Sequence, residues 1–288
     1  MSKASDNRME KTDNVEECAK LMETVFYNII DRVKALREVR SIGVSGGNIF
    51  LPKPGEGDVD VFIYCSDIPP SESRQDVITK TSKTSGYRTD VFKGGFWGTG
   101  DLVIISGVEI WLMYFIEEET SAFIDSVLNG DYPDRLENYF YPVGRCAMLK
   151  DIRILYDKND FLSSMKQKLS LYPGSLAVKM TRHHMTALED TEDLIRAVER
   201  KDVLFYHFAL DIALDHFLQA LFSINKIYFP SRKRSLSYIA GFALKPDMCE
   251  QRLSQVTAMG GHAEGLKDSY EIWRKLTDEL KNLTERLY

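Results

Sequence analysis

The chain has 288 residues, of which 44% are hydrophobic and 28% charged, which is typical of one large globular domain or two modest ones. Its formal net charge of -6 argues against long nucleic acid as a partner, because binding a polyanion needs clustered cations. The four cysteines show no CxxC pairing, which argues against a zinc site and favours reduced thiols in the cytoplasm. No apolar run reaches about 18 residues, so no membrane span is expected.

The first half of the chain predicts a small mixed sheet behind a long helix. Apolar residues recur at helical spacing from Asn14 to about Leu36, which indicates an amphipathic helix. The run GEGDVDVFIYC is typical of a strand, and a polar helix around residues 71–85 and a strand at YRTDVF follow it. The runs DLVIISG and VEIWLMYF predict a hairpin closed by the tight Ser106-Gly107 turn.

The second half of the chain is predicted to be mostly helical. Arg135 to Phe140 has a helical pattern, and nearly every residue after Leu162 does too. The longest apolar segment, Val203 to Ile227, predicts a buried bundle helix. The change of character places a domain boundary near residue 150, which gives domains 1–150 and 151–288 and an α+β fold class.

Three acidic residues form the strongest candidate site. Asp58 and Asp60 are two apart on a predicted strand, so their side chains project from one face. Glu109 is the only charge in VEIWLMYF and begins that strand. If the two strands are neighbours, the three carboxylates converge, and hard oxygen ligands of this kind suit Mg²⁺ or Mn²⁺. Such a cluster can hold two metal ions about 4 Å apart for in-line phosphoryl displacement.

Glycines upstream of the acids predict a phosphate-binding turn. Gly43, Gly46 and Gly47 let the backbone approach a phosphate closely, and the Ser45 hydroxyl adds a donor. The turn is not a Walker loop, because no GKS or GKT follows it, and no GxGxxG opens a helix as in a Rossmann fold.

The segment VSGGNIFLPKPGEGDVDVFIY resembles the signature of the polymerase-beta-like nucleotidyltransferase superfamily. In that signature a Gly-Gly or Gly-Ser pair precedes Asp-x-Asp on a strand, and a later strand adds a third acid. Gly46-Gly47, Asp58, Asp60 and Glu109 match these positions. Two features depart from the common pattern, the second glycine where serine is usual and glutamate as the third acid where aspartate is usual.

The resemblance implies a nucleotidyltransferase-fold mixed sheet with flanking helices, followed by a helical bundle domain similar in outline to those of antibiotic nucleotidyltransferases. It also implies Mg²⁺ or Mn²⁺, a nucleoside triphosphate, and transfer of the nucleoside monophosphate to a hydroxyl of a small molecule, with an antibiotic as one candidate. Two alternatives stay open, a protein-adenylylating toxin-type enzyme and an inactive nucleotide-binding regulator. The sequence leaves the oligomeric state open, a homodimer included.

The helical half offers further candidates, each with a plain structural alternative. Lys226 and Lys233 are expected to clamp the triphosphate, or else to belong to a solvated basic loop. Asp211 shares one helix face with His207 and Asp215 and is the candidate general base, because kanamycin-type enzymes use an acid of the helical domain. The alternative for this face is a wet stripe or a structural network.

Four further residues are ambiguous. His183 and His184 are adjacent, and neighbouring helical residues diverge by about 100°, so they are not expected to share an ion. Trp97 and Trp111 lie near the predicted hairpin, where each is expected either to line a nucleotide or acceptor site or to pack in the core.

Overall fold

The computed structural model describes residues 19–46, 51–136 and 140–287. The chain forms two compact units, each made of two segments. Unit 1 comprises Met1–Phe123 and Met148–Lys168, and unit 2 comprises Ile124–Ala147 and Leu169–Tyr288. The chain returns from unit 2 to unit 1 between Ala147 and Met148, close to the boundary predicted at residue 150. The domain assignment stays a prediction.

Unit 1 is built on a mixed sheet of six strands, with order β3-β4-β5-β2-β1-β6 among the described residues. The central strands β2 and β5 are parallel, and the other neighbours are antiparallel. The strands are β1 (Val39–Val44), β2 (Val59–Cys65), β3 (Gly86–Phe92), β4 (Thr99–Ile105), β5 (Val108–Ile116) and β6 (Arg153–Asp157). The helices are α1 (residues 19–33), α2 (Ser71–Thr79), the part of α3 (Glu117–Leu128) up to Phe123, and α5 (Phe161–Leu169) up to Lys168.

One face of the sheet carries the hydrophobic core of unit 1. Val61 of β2 and Leu112 of β5 are fully buried in the same cluster as Phe26 and Ile29 of α1. This packing follows from the two periodicities in the sequence, alternation along the strands and a stripe along the helix. The predicted hairpin is confirmed as β4 and β5, and both Ser106 (φ 49°) and Gly107 (φ 80°) have the positive φ that a type I′ turn requires.

A buried ion pair joins α2 to the hairpin. The Arg74 guanidinium lies 2.5 Å from an Asp101 carboxylate oxygen, also contacts Asp90, and donates from Nε to the Pro69 carbonyl at 3.0 Å. Burial raises the pKa of Asp101, and the charge of Arg74 opposes that shift. Since Arg74 and Asp101 are almost wholly buried, each charge depends on the other for compensation.

Unit 2 is helical, as predicted. The long apolar segment forms α8, whose N-terminal amide at Phe205 is capped by the Asp202 side chain at 3.0 Å. Phe217 of α8 packs against Trp273 with ring centroids 5.3 Å apart. The helices are α4 (Pro142–Asp151, mostly in this unit), α6 (Gly174–Ala187), α7 (Glu192–Arg200), α8 (Val203–Ile224), α9 (Ser235–Ala240), α10 (Cys249–Met259) and α11 (Leu266–Glu285).

The helix predicted from Arg135 to Phe140 is wrong at the residues that the structure describes. Leu136 and Phe140 form an antiparallel bridge instead of a helical turn, and the residues between them lie outside the described part. The fold class is confirmed, because a mixed sheet with flanking helices is combined with a helical region. Among the described residues, no helix is long and apolar enough to cross a membrane.

Candidate functional site

The parallel pairing of β2 with β5 brings two of the predicted acids to one face of the sheet. Asp60 is paired with Trp111, and Val59 with Ile110. Paired residues of parallel strands point the same way, and alternate residues of one strand share a face. Asp60, Glu109 and Trp111 therefore share a face, opposite to the buried Val59 and Ile110, and Asp58 immediately precedes β2.

The acids lie at the open end of that face. Asp58 and Glu109 are exposed, whereas Asp60 is half-buried. No ion pair joins Asp58 or Glu109 to a cationic side chain within the described ranges. In the described part of the chain, ligand atoms of Asp134, His183 and His184 lie within 4.8 Å of one another, one atom from each residue. Among the residues that the structure describes, the acids of the sheet do not form such a group. Closing the three acids around a cation therefore requires side-chain rotation, which exposed carboxylates can make.

The predicted phosphate turn lies next to the acids. β1 is antiparallel to β2, and the Ser45 amide donates to the Asp60 carbonyl at 3.1 Å. Gly46 follows with φ 120°, a conformation that favours glycine, and a Cβ there would meet no atom within 4 Å. The predicted partner Gly47 lies outside the described residues. The turn thus presents an open stretch of backbone beside Asp60.

Gly43 has a different role from the predicted one. A Cβ on Gly43 would lie 2.4 Å from Cδ1 of Ile152, so glycine is needed at this position for packing within β1 and its surroundings. The prediction that Gly43 lets a phosphate approach has no support in this contact.

Aromatic side chains and a proline border the acidic face. Trp111 stacks on Phe92, with ring centroids 6.0 Å apart and planes at 25°. The loop before β2 reaches the hairpin turn, because a Cβ on Gly107 would lie 3.4 Å from the Pro54 side chain. Trp97 is 48% exposed in a short 3-10 turn, which leaves its indole accessible.

The predicted cationic residues of unit 2 are exposed. Lys226 follows α8 with φ 55°, and its amide donates to the Ser223 carbonyl at 3.0 Å. The Lys233 amide donates to the Ser231 hydroxyl at 3.2 Å. Neither ammonium group forms an ion pair with any residue that the structure describes. Both charges are therefore available to a ligand, and their role on the triphosphate stays a prediction.

Asp211 and Asp215 belong to an ion-pair network within unit 2. The Asp215 side chain is almost fully buried. Its carboxylate oxygens lie 2.5 Å from Nε of Arg232 and 3.1 Å from a guanidinium nitrogen of Arg135. The carboxylate also accepts a 2.6 Å hydrogen bond from the Tyr141 hydroxyl. Asp211 is half-exposed and accepts from the same Arg232 guanidinium. Burial, followed by the hydrogen bond to Asp215, raises the pKa of Tyr141 to about 12. The network alternative considered for this helix face is thus present, and Asp211 as a general base stays a prediction.

The sequence interpretation missed the partners of this network. Arg232 is adjacent to Lys233 in the basic run, and Tyr141 and Arg135 lie more than 70 residues before Asp215. One signal was available, because a carboxylate in so apolar a helix needs a cationic partner or solvent.

Comparison with known proteins adds a family match and two structural similarities. A family profile described as "Domain of unknown function (DUF4037)" matches residues 141–234, which is about one third of the chain. That segment contains Asp211, Asp215 and Arg232 and does not contain the sheet acids. No curated protein matches the sequence.

Two solved structures with nucleotidyltransferase descriptions are similar to the chain. One is a nucleotidyltransferase-like protein from Exiguobacterium sibiricum 255-15, with 12% identity, a TM-score of 0.48, and coverage of 92% of this chain and 75% of that chain. The other is an aminoglycoside 6-adenyltransferase from Bacillus subtilis, with 11% identity, a TM-score of 0.30, and coverage of 90% of each chain. Because both TM-scores lie below 0.5, the likeness carries no evidence on activity or substrate.

Proposed function

We propose that this protein is a Mg²⁺-dependent nucleotidyltransferase that transfers a nucleoside monophosphate from a nucleoside triphosphate to a hydroxyl of a small molecule. One observation carries the proposal: Asp60 and Glu109 share a face of two paired parallel strands beside the Ser45-Gly46 turn, and Asp58 immediately precedes the first of these strands. Three carboxylates are a donor set that fits hard divalent cations.

In this proposal the three carboxylates hold Mg²⁺, or Mn²⁺ in its place. A bound ion of this kind neutralises charge on the triphosphate and lowers the pKa of the attacking hydroxyl. The Ser45 amide is bonded to the Asp60 carbonyl, so in this proposal the Gly46 amide and the Ser45 hydroxyl orient phosphate oxygens. The acceptor oxygen forms a bond to the α-phosphorus, the bond from the α-phosphorus to the bridging oxygen breaks, and pyrophosphate leaves with that electron pair.

The acceptor's proton must pass to a base, and Asp211 is the candidate. If Asp211 takes the proton, Asp211→Asn lowers kcat by about 100-fold, the usual size of a general-base effect. The variant also removes the acidic limb of the pH–rate profile, because the amide does not titrate. A pH–rate profile that keeps this limb, with kcat unchanged, assigns Asp211 only to the ion pair with Arg232.

The acceptor is the unknown, so the test is a screen. The full-length chain is incubated with Mg²⁺, each labelled nucleoside triphosphate and panels of hydroxyl-bearing small molecules, aminoglycosides included, and pyrophosphate release is measured. The proposal predicts release with at least one acceptor and its loss in Asp60→Asn. Asp76→Asn is the matched control, because Asp76 is an exposed acid of the same unit whose carboxylate pairs with Lys80.

Two outcomes would contradict the proposal. Acceptor-dependent turnover that is equal in wild type and Asp60→Asn would refute the assignment of the acids. Nucleotide binding that is unchanged by removal of Mg²⁺, together with no pyrophosphate release from any acceptor, would instead indicate a nucleotide-binding regulator.

A further inference from the structure

Three of the five histidines of the chain meet in unit 2, away from the acids of the sheet. His183 and His184 are consecutive on α6, and His216 lies on the adjacent α8. Asp134, in the turn that precedes α4, completes the group. We call these four residues the histidine cluster.

Short polar contacts connect the histidine cluster in two pairs. Nε2 of His183 lies 2.8 Å from a carboxylate oxygen of Asp134. Nδ1 of His184 lies 2.9 Å from Nδ1 of His216. One ligand atom from each of Asp134, His183 and His184 lies within 4.8 Å of the others. The side chains thus combine two imidazoles and one carboxylate in a small volume.

His184 has an unused polar atom in a buried position. Its side chain is 0% exposed, and its Nε2 has no hydrogen-bond partner among the described residues. Neutral imidazole, with a lone pair on one ring nitrogen, is the form of histidine that binds metals.

The contact between His184 and His216 can fix the tautomer of His184. In a neutral pair, one Nδ1 must donate its proton to the other, because two bare nitrogens would repel each other. If His184 donates, its Nε2 carries a lone pair. A metal-bound histidine is commonly oriented in this way, through a hydrogen bond from its other ring nitrogen.

We propose that Asp134, His183 and His184 bind one borderline divalent cation of the Zn²⁺ type, and that His216 is a positioning residue for His184. Nitrogen and carboxylate ligands suit this class of ion, and three protein ligands leave a fourth position for water or another ligand. Around a tetrahedral ion, ligand atoms are about 3.4 Å apart. The separations in this group run from 2.8 Å to at most 4.8 Å, so the longest must shorten and the His183–Asp134 contact must lengthen when an ion binds. Asp134 is exposed and in a turn, so it can make most of that movement.

The expectation that His183 and His184 cannot share an ion considered their helix alone. Their rings lie 5.0 Å apart and are nearly perpendicular, at 85°. The third ligand, Asp134, lies in a turn 49 residues earlier and contacts the ring of His183. An ion bound by all three side chains can therefore lie beside the helix, so the two histidines need not converge on the helix axis. His183 also lines a surface pocket together with Pro133 and Arg182.

The test uses the full-length chain, dialysed against a chelator and then titrated with Zn²⁺ alone. The wild type is expected to bind one equivalent, and Co²⁺ in its place is expected to give the visible bands of a four-coordinate site. His183→Gln and Asp134→Asn each remove a ligand at an accessible position and are expected to weaken binding at least about 100-fold. His216→Asn is expected to weaken it about 10- to 100-fold, the usual effect of a residue that orients a ligand.

Two control variants separate this site from other metal binding. His262→Gln removes an exposed histidine outside the histidine cluster and is expected to leave Zn²⁺ binding unchanged. Asp60→Asn is expected to leave it unchanged as well, so the result does not depend on the proposed activity. The proposal is overturned if wild type, His183→Gln and Asp134→Asn bind Zn²⁺ with equal affinity, or if no equivalent is bound.

Discussion

The acidic residues of unit 1 and unit 2 differ in how their charge is compensated. On the sheet, Asp58 and Glu109 are exposed and form no ion pair within the part of the chain that the structure describes. In unit 2, Asp215 is almost buried and is bound by Arg232, Arg135 and the Tyr141 hydroxyl. Both sets are carboxylates at the end or on the face of a regular element, and sequence patterns alone treat them alike.

The difference indicates what each set is for. A buried carboxylate must be paired within the protein, because an uncompensated charge there is costly, and such pairs hold a structure in place. Exposed carboxylates such as Asp58 and Glu109, which form no ion pair with the described residues, are open to an external cation. The contrast supports the proposed ligand-binding role of the acids of the sheet and indicates a structural role for Asp215.

The largest expected effect concerns activity and belongs to unit 1. Glu109→Gln should lower kcat by about 1,000-fold or more, equivalent to about 4 kcal/mol, because it removes a charged metal ligand in the transition state. The free energy of unfolding should change by less than about 0.5 kcal/mol, since Glu109 is exposed. Pyrophosphate release and urea denaturation measure the two quantities, and a folded variant with normal turnover would remove Glu109 from the site.

Asp215→Asn should show the opposite behaviour. Removing the charge leaves Arg232 and Arg135 without their buried partner, so the free energy of unfolding should fall by about 3 kcal/mol. Urea denaturation followed by circular dichroism measures the loss. A decrease of less than about 1 kcal/mol would show that the network contributes little, and the contrast between the two units would fail.

Lys226 and Lys233 test whether exposed charges of unit 2 act on the nucleotide. The double change Lys226→Gln and Lys233→Gln should raise the KM for the nucleoside triphosphate about tenfold, because each charge-assisted hydrogen bond to phosphate is lost. Stability should not change. The double change Lys267→Gln and Lys275→Gln on α11 serves as the charge-matched control. Equal KM values for both double variants would show that Lys226 and Lys233 belong to a solvated loop and do not bind the triphosphate.

The smallest effect is expected for the stability of Asp211→Asn. Asp211 shares Arg232 with Asp215 but is 49% exposed, and exposed ion pairs contribute at most about 1 kcal/mol. Its unfolding free energy should therefore fall by clearly less than that of Asp215→Asn in the same denaturation experiment. A loss equal to that of Asp215→Asn would show that the two acids form one inseparable structural unit.

Local patterns in the sequence were sufficient for most of the elements and for the strand face that carries Asp60 and Glu109. Alternation along GDVDVFIY and VEIWLMYF fixes which side chains share a face, and the Ser106-Gly107 turn follows from the short gap between two apolar runs. The shared face of Asp60 and Glu109 required only that these strands be neighbours, and the sheet has them paired in parallel.

Contacts between distant segments could not be predicted in the same way. Arg74 and Asp101 look like ordinary surface charges in the sequence, and only the packing of α2 against the hairpin buries them together. The histidine cluster depends in the same way on a turn far from α6. Leu136 and Phe140 form a bridge despite a helical pattern, because tertiary contacts override a weak local preference.

The central claim is that the sheet acids bind divalent cations together with a nucleotide, and Mn²⁺ titration followed by electron paramagnetic resonance tests it directly. The His183→Gln chain is used as background, so that the histidine cluster does not contribute, and α,β-methylene ATP supplies a triphosphate that cannot be cleaved. The account predicts nucleotide-dependent Mn²⁺ binding that is lost when Asp60→Asn is added. Equal Mn²⁺ binding with and without Asp60→Asn would contradict it.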